Sequence, residues 1–301
     1  MKQDTTSGTY TSNTNKSPIN NTSKTAKTQN LNSLTIHEKI KAFQVDSRKF
    51  YKPYNFMCAT QDIANDHAEL IGFGYDALFE KNVAWVLSRF KVEIDHTPRL
   101  YDEINLSTWH KGSQGPFWIR DFQVDNPISG ETMIRCTSSW VIIDLNERKM
   151  KHLESILPNN AESSMNEKSS ISIPCKKIHV PKNIKADLLG KHLVSYSDLD
   201  MNRHANNAKY IEWLLDLIDT DITSSYIITS YQINFNHETY LSDLVEIYAA
   251  EIDSCNSNNN LHTQTYNEHT DNEQTTHNRK FFAEGLCEGK NIFQAEITFA
   301  K

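Results

Sequence analysis

Phe90-Lys91-Val92-Glu93-Ile94-Asp95-His96-Thr97, running on into Leu100-Tyr101-Asp102-Glu103-Ile104, has a counterpart in Tyr231-Gln232-Ile233-Asn234-Phe235-Asn236-His237-Glu238 and Leu241-Ser242-Asp243-Leu244-Val245. Both copies show alternating apolar positions, a histidine, a short turn and a second alternating run. Successive strand side chains point to opposite faces, so this period of two predicts half-buried strands lying next to each other. Recurrence of the pattern with little identity marks one structural unit used twice.

Working outward, each copy follows a segment with helical spacing. Ile63, Ala64, His67, Leu70 and Ile71 predict a helix over Gln61–Ile71, and Tyr210, Ile211, Trp213, Leu214, Leu215, Leu217 and Ile218 predict one from about Asn206 to Ile218. The second has almost no polar face, as expected of a helix enclosed by protein. Strand-like runs occupy Val83–Leu87, Glu103–Thr108, Phe117–Val124 and Thr132–Asp144, then Tyr226–Phe235, Leu244–Ile252, Lys280–Leu286 and Asn291–Ala300. One helix followed by antiparallel strands, twice over, predicts an α+β fold in which curved sheets wrap central helices.

The rest of the chain sets limits. Its 301 residues suffice for two ordinary domains. Residues 1–35, rich in Ser, Thr, Asn and Lys, read as a disordered tail with too few large apolar groups to offset ordering entropy. A transit peptide would be Arg-rich, and Met1–Asn32 contains no Arg. Residues 36–170 form the first unit, 171–190 a linker, and 191–301 the second unit, interrupted by a polar insertion at 254–278. The insertion's His262, His269 and His277 lack metal-ligand spacing. Leu157–Ser170 reads as a similar polar loop, and Lys176, Lys177, Lys182 and Lys185 as a solvated face. A net charge of −7 disfavours nonspecific nucleic-acid binding. No run approaches the roughly 18 apolar residues of a membrane-spanning helix. Cys58, Cys136, Cys175, Cys255 and Cys287 are scattered without a C-x-x-C pair, so a reducing cytoplasm is expected and neither zinc nor a disulfide framework is indicated.

Chemistry concentrates at Ser197-Asp198-Leu199-Asp200-Met201-Asn202-Arg203-His204-Ala205-Asn206-Asn207-Ala208-Lys209-Tyr210, which crowds acid, amide and imidazole groups onto a helix start. Asp200, Asn202 and His204 stand at i, i+2 and i+4 and can lean to one side of an extended or turning segment. His204 or Glu238 can serve as a base towards water. Asn202 can donate to an oxygen while accepting from a neighbour, and Asp200 can orient His204. The helix start adds unpaired N–H groups. The alternative makes Asp200 and Asn202 turn or capping residues and His204 a core histidine. Aligning His67 with His204 puts Ile63 opposite Asp200, and aligning His96 with His237 puts Thr97 opposite Glu238, so one active site per chain is expected, in the second half.

The segment SDLDMNRHANNAKYIEW resembles the signature D-x-N-x-H-x-N-N-x-K-Y-I of the acyl-acyl-carrier-protein thioesterases. Phe235–Asp243, with Glu238, resembles the strand on which that family places a glutamate, and Trp118-Ile119-Arg120-Asp121 and Ser139-Trp140-Val141 resemble its first half. The resemblance runs from about Ile36 to the C-terminus. It implies a tandem (double) hot-dog fold, and hydrolysis of fatty acyl-acyl carrier protein to free fatty acid with Asp200, Asn202, His204 and Glu238 at the site. It further implies an acyl pocket shaped by the first half, a carrier-protein partner, and no metal or redox cofactor. A homodimer is compatible with it. Plant members carry a cysteine directly after the glutamate; Thr239 stands there in this chain, which argues against a cysteine nucleophile. The rivals are an acyl-CoA thioesterase, a hot-dog dehydratase, for which no His-Phe-Pro turn is found, and a noncatalytic acyl-binding module.

Overall fold

In the computed structural model the described residues are 27–151, 156, 162–179, 184–252 and 278–301. The expected tail up to residue 26, and the insertion except residue 278, lie outside them. In chain order the elements are β1 (Lys27–Asn30), β2 (Ser33–Lys39), α1 (Pro53–Leu70), α2 (Tyr75–Phe79), β3 (Val83–Ile94), β4 (Glu103–Gln114), β5 (Phe117–Asp125), β6 (Thr132–Asp144) and β7 (Met150–Lys151). There follow β8 (Asp187–Leu193), α3 (Asn207–Leu217), α4 (Thr220–Ser225), β9 (Ile227–Phe235), β10 (Leu244–Ile252), β11 (Arg279–Cys287) and β12 (Lys290–Ala300).

The strands form one continuous sheet in the order β1-β2-β4-β5-β6-β3-β9-β12-β11-β10-β8, with β7 paired to β6. Each half is antiparallel throughout, and β3 joins β9 across the middle with Arg89 opposite Asn234 and Glu93 opposite Ser230. This arrangement corrects one expectation. The runs that follow one another at 90–104 and 231–245 form strands, yet β3 and β4 are not sheet neighbours, nor are β9 and β10. Each half of the sheet wraps a helix, so the chain leaves the central strand and crosses to the far side of its half, and the hairpins form from β4 to β6 and from β10 to β12 instead.

Why α1 starts where it does follows from its first residue. Proline has no N–H to lose at the first helical position and holds φ near the helical value, so the helix begins at Pro53 rather than at Gln61. Its buried stripe, Phe56, Met57, Thr60, Ile63, Ala64, His67 and Ala68, keeps helical spacing over its whole length. Phe56, Met57, Ile63 and Ala64 of that stripe and α3's Ala208, Tyr210, Ile211, Trp213 and Leu214 enter one apolar core with Phe90, Phe122, Tyr231, Phe293 and Phe299 from both halves of the sheet, while Ala68 packs into a second cluster with Phe73 and Trp118. Burying each such side chain contributes about 1.5–3 kcal/mol. Gly190 in β8 allows the end of α3 to approach, since a Cβ there would lie 2.7 Å from Leu217 Cδ2.

Two boundaries differ from expectation. Residues before Ile36 already belong to the fold: Leu34 (2% exposed) packs into the core and β1–β2 form a hairpin. The stretch read as a linker lies on the sheet: Ile171, Cys175 and Ile178 are buried, Ser170 Oγ donates to Phe122 O at 2.7 Å, and Gln232 Nε2 donates to Lys176 O at 2.6 Å. Its last residues begin β8, whose register with β10 carries a bulge.

Candidate active site

The segment 200–204 is a turn organised by its own aspartate. Asp200 Oδ1 accepts from the N–H of Asn202 (2.8 Å) and His204 (3.2 Å), while Asp200 N donates to His204 O at 2.8 Å. Arg203 takes a positive φ of 65°, which closes the turn. Ala205 N then donates to Thr239 O at 2.9 Å, and His204 pairs with Tyr240, so the turn is tied to the strand-like segment carrying Glu238. Asn206 caps α3, its Oδ1 accepting from Ala208 N at 2.8 Å.

This construction sets His204 Nδ1 3.5 Å from Glu238 Oε1. The imidazole meets the Tyr240 ring edge-on at 4.9 Å, and the Tyr240 hydroxyl donates to Glu238 Oε2 at 3.1 Å. Arg148, from the turn between β6 and β7, donates to the same oxygen. His204 and Glu238 are both partly exposed, as a site open to substrate must be. Behind them the Tyr210 hydroxyl bonds to Thr239 Oγ1 at 3.0 Å, with Thr239 fully buried, and burial pushes the Tyr210 phenol up to about 12. Thr239 is therefore a support, hydrogen-bonded away from solvent.

Of the four expected site residues, His204 and Glu238 meet directly. Asp200 acts on the backbone of Asn202 and His204 rather than on the imidazole, and Asn202 is exposed in the same turn. A second ring of groups under α3 has no counterpart among the expected residues: Asp198 accepts from Ser195 N at 2.8 Å and pairs with His192 Nε2 at 2.9 Å, and His192 stacks on Trp213 at 4.2 Å. Asp198 lies in the same motif, so its acid could have been singled out. Tyr240, two residues beyond Glu238, lies in the Phe235–Asp243 segment already singled out for Glu238; Arg148 carried no local signal.

The internal alignment on His67 is corrected by the backbone. In the first half Asp46 N donates to Phe50 O (2.8 Å), Lys49 N to Asp46 O (3.0 Å) and Tyr51 N to Pro98 O (2.8 Å), while Asp46 Oδ1 accepts from Arg48 N (2.8 Å) and Phe50 N (2.9 Å). Lys49 has a φ of 69°. The turn is that of 200–204, residue for residue, so Asp46, Arg48 and Phe50 stand where Asp200, Asn202 and His204 do. Thr97 stands for Glu238, since His96 N and His237 N each bond the strand facing them, at Met133 O and Ile292 O. His67 instead lies buried on α1, its Nδ1 accepting from Arg120 Nη1 at 2.9 Å. Arg120, Asp121 and His110 are buried beside it on β4 and β5.

Family models for the acyl-ACP thioesterase N-terminal and C-terminal domains match residues 36–157 and 182–301. Among curated proteins, the chain is 26% identical over 236 residues to the chloroplastic palmitoyl-acyl carrier protein thioesterase of Gossypium hirsutum, covering 76% of this chain and 57% of that protein. It is 27% identical over 207 residues to the protein of the same description from Arabidopsis thaliana, covering 66% and 50%. The chain thus spans about half the length of these relatives. Among solved structures, the acyl-ACP thioesterase of Bacteroides thetaiotaomicron superimposes with a TM-score of 0.71 at 24% identity, covering 89% of this chain and 98% of that one. The 12:0-ACP thioesterase of Umbellularia californica gives 0.74 at 18%, covering 89% and 94%. At these identities the likeness speaks for the fold, two hot-dog units in tandem.

Proposed function

The chain belongs to the acyl-ACP thioesterase family, and from that premise we propose that it hydrolyses the thioester of fatty acyl-acyl carrier protein, releasing free fatty acid and the carrier's pantetheine thiol. The observation that carries the reading is the His204–Glu238 pair at 3.5 Å, held at the start of an enclosed helix by a turn that the motif itself builds.

A carboxylate facing Nδ1 favours the tautomer with the proton on that nitrogen, which leaves Nε2 free to take a proton from water. The water oxygen bonds to the thioester carbonyl carbon, the carbon–sulfur bond breaks, and the imidazolium returns its proton to the departing thiolate. Both Glu238 oxygens are engaged, Oε1 by His204 and Oε2 by Tyr240 and Arg148. That engagement favours an orienting role over covalent attack, since a carboxylate tied at both oxygens is a poor nucleophile. Asn202, exposed in the turn, offers an amide to the substrate carbonyl, and the N-terminal end of α3 supplies a positive dipole end towards the developing oxyanion. Asp200 holds the geometry through the backbone.

A cytoplasmic location and a homodimer belong to the same proposal. Cys58, Cys136, Cys175 and Cys287 are free thiols, which suits a reducing compartment. Exposed Leu188, Leu189 and Leu193 on edge strand β8 offer apolar surface to a second copy. Among the described residues no helix is long and apolar enough to cross a membrane. Light scattering of the purified chain reads the oligomeric state. Thiol release from dodecanoyl- and hexadecanoyl-carrier protein beside the same acyl groups on CoA tests the substrate class: faster release from the carrier protein is expected, and equal or faster release from CoA would contradict the carrier assignment.

A further inference from the structure

The first half repeats the active-site turn, keeps its aspartate as Asp46, and lacks both members of the His204–Glu238 pair: Arg48 stands for Asn202, Phe50 for His204 and Thr97 for Glu238. A pocket of about 330 Å3 opens at this position, lined by those three residues and by Ile94, Ile228 and Phe299 among others. That volume falls within the range of small-molecule sites. None of the four expected catalytic residues lines it. Its wall includes Asp216 near the far end of α3, about 13 Å along the helix axis from Asn207.

The replacements remove the imidazole and the carboxylate of the pair and bring in one cation, Arg48. The Phe50 ring is flanked by two guanidinium groups, Arg48 at 5.1 Å and Arg99 at 4.7 Å from its centre. Arg48 Nη1 donates to Ser224 O at 3.2 Å and Nε lies 3.7 Å from Asp46 Oδ2, yet buried Nε has no hydrogen-bond partner among the described residues. Lys52 adds a second cation to the lining. The acids there are partly engaged by other groups. Asp46 Oδ1 serves the turn, Glu212 is held by Lys209 at 2.8 Å, and burial with the nearby Glu212 pushes the Asp216 carboxyl up, towards its neutral form. Ile94, Leu215, Ile227, Ile228 and Phe299 supply an apolar wall beside the cations.

We propose that this pocket is a second, noncatalytic ligand site that binds a fatty carboxylate, with the carboxylate on Arg48 and Lys52 and the methylenes along Ile94, Ile228 and Phe299. A guanidinium with spare donors next to an aliphatic wall matches an amphipathic anion at both ends. The choice of a fatty acid rests on the proposed reaction, whose product it is; the pocket and its cations do not depend on that reaction.

Dodecanoate labelled with 13C at the carboxyl carbon, titrated into the full chain below its micelle concentration, reads the site by NMR. Wild type is compared with Arg48→Gln, which removes the cation, and with Ile228→Trp, which fills the pocket. The expected result is two bound carboxyl resonances in wild type, one of them lost in both variants, with acyl-carrier-protein hydrolysis unchanged in the absence of added fatty acid. A single bound resonance in wild type, or two that persist in both variants, would overturn the site. Two resonances without thiol release would remove the proposed reaction and leave the pocket standing; thiol release with a single resonance would do the reverse.

Discussion

Glu238 meets His204 through one carboxylate oxygen, and Tyr240 and Arg148 through the other. Arg148 reaches it from a turn 90 residues away in sequence. The Arg148 side chain is 49% exposed, and exposed ion pairs contribute about 1 kcal/mol or less. Arg148→Ala is therefore expected to leave thermal stability nearly unchanged, while kcat falls by at least about tenfold, because small misplacements of a positioned group are costly to rate. Thermal melts beside thiol-release kinetics check both halves of that statement; a variant with full activity would show that Arg148 does not position Glu238. At this scale the sequence revealed what local spacing can reveal. Asp200, Asn202 and His204 share a turn and Glu238 lies on the segment paired to it, all within short motifs. Arg148 stayed hidden because its contact depends on how two halves of a sheet join, and Phe50 stayed hidden because His67 offered a tempting identity where only backbone hydrogen bonds reveal the true counterpart.

Among the elements, α3 rests on its cap. Asn206 Oδ1 accepts from Ala208 N and also from Gln61 Nε2 of α1 at 3.3 Å. Asn206→Ala should cost about 1 kcal/mol, read as a lower denaturant midpoint with unchanged slope; an unchanged midpoint would mean that the cap is dispensable. The packing of α1 on β4 and β5 gives the protein an acid limit. Burial, reinforced by Arg120, pulls His67 down to about 4, and burial with Arg120 and His67 pulls His110 down to about 3. A histidine in the unfolded chain titrates near 6.5, so below that pH the unfolded state binds more protons. The contribution of each neutral histidine is complete above about 6.5 and declines by up to about 1.4 kcal/mol per pH unit as pH falls towards the folded value. Equilibrium unfolding at pH 7, 6 and 5 should show falling stability, with a shallower slope in His67→Gln; equal slopes would assign the acid sensitivity elsewhere. Helices and most strands were legible in periodicity, and Thr132–Asp144 and Leu244–Ile252 match their expected bounds. The misses have physical reasons. β8 has mostly exposed side chains and shows no apolar alternation, and β2 begins in a tract whose composition resembles a tail.

For the whole molecule, the continuous sheet and common core predict that the halves unfold together. β3 and β9 pair along Arg89–Glu93 and Ser230–Asn234, and Val92 and Tyr231, which face each other there, are 0% and 1% exposed. Tryptophan fluorescence and far-ultraviolet circular dichroism should give coincident denaturant transitions; two separated transitions would show independent halves. That the chain uses one unit twice was legible in sequence, whereas strand order was not, because alternation gives the faces of a strand and says nothing of its neighbours. The same union of halves places Arg148 of one on Glu238 of the other, and thioester cleavage at that site is what its arrangement calls for. The decisive measurement is free-thiol release from acyl-carrier protein by wild type, His204→Ala and Glu238→Ala, each checked for native circular dichroism. Wild type is expected to release thiol and both variants to lose about 10²–10⁴ in kcat; a folded wild type that releases no thiol, or variants that match it, would contradict catalysis by the His204–Glu238 pair.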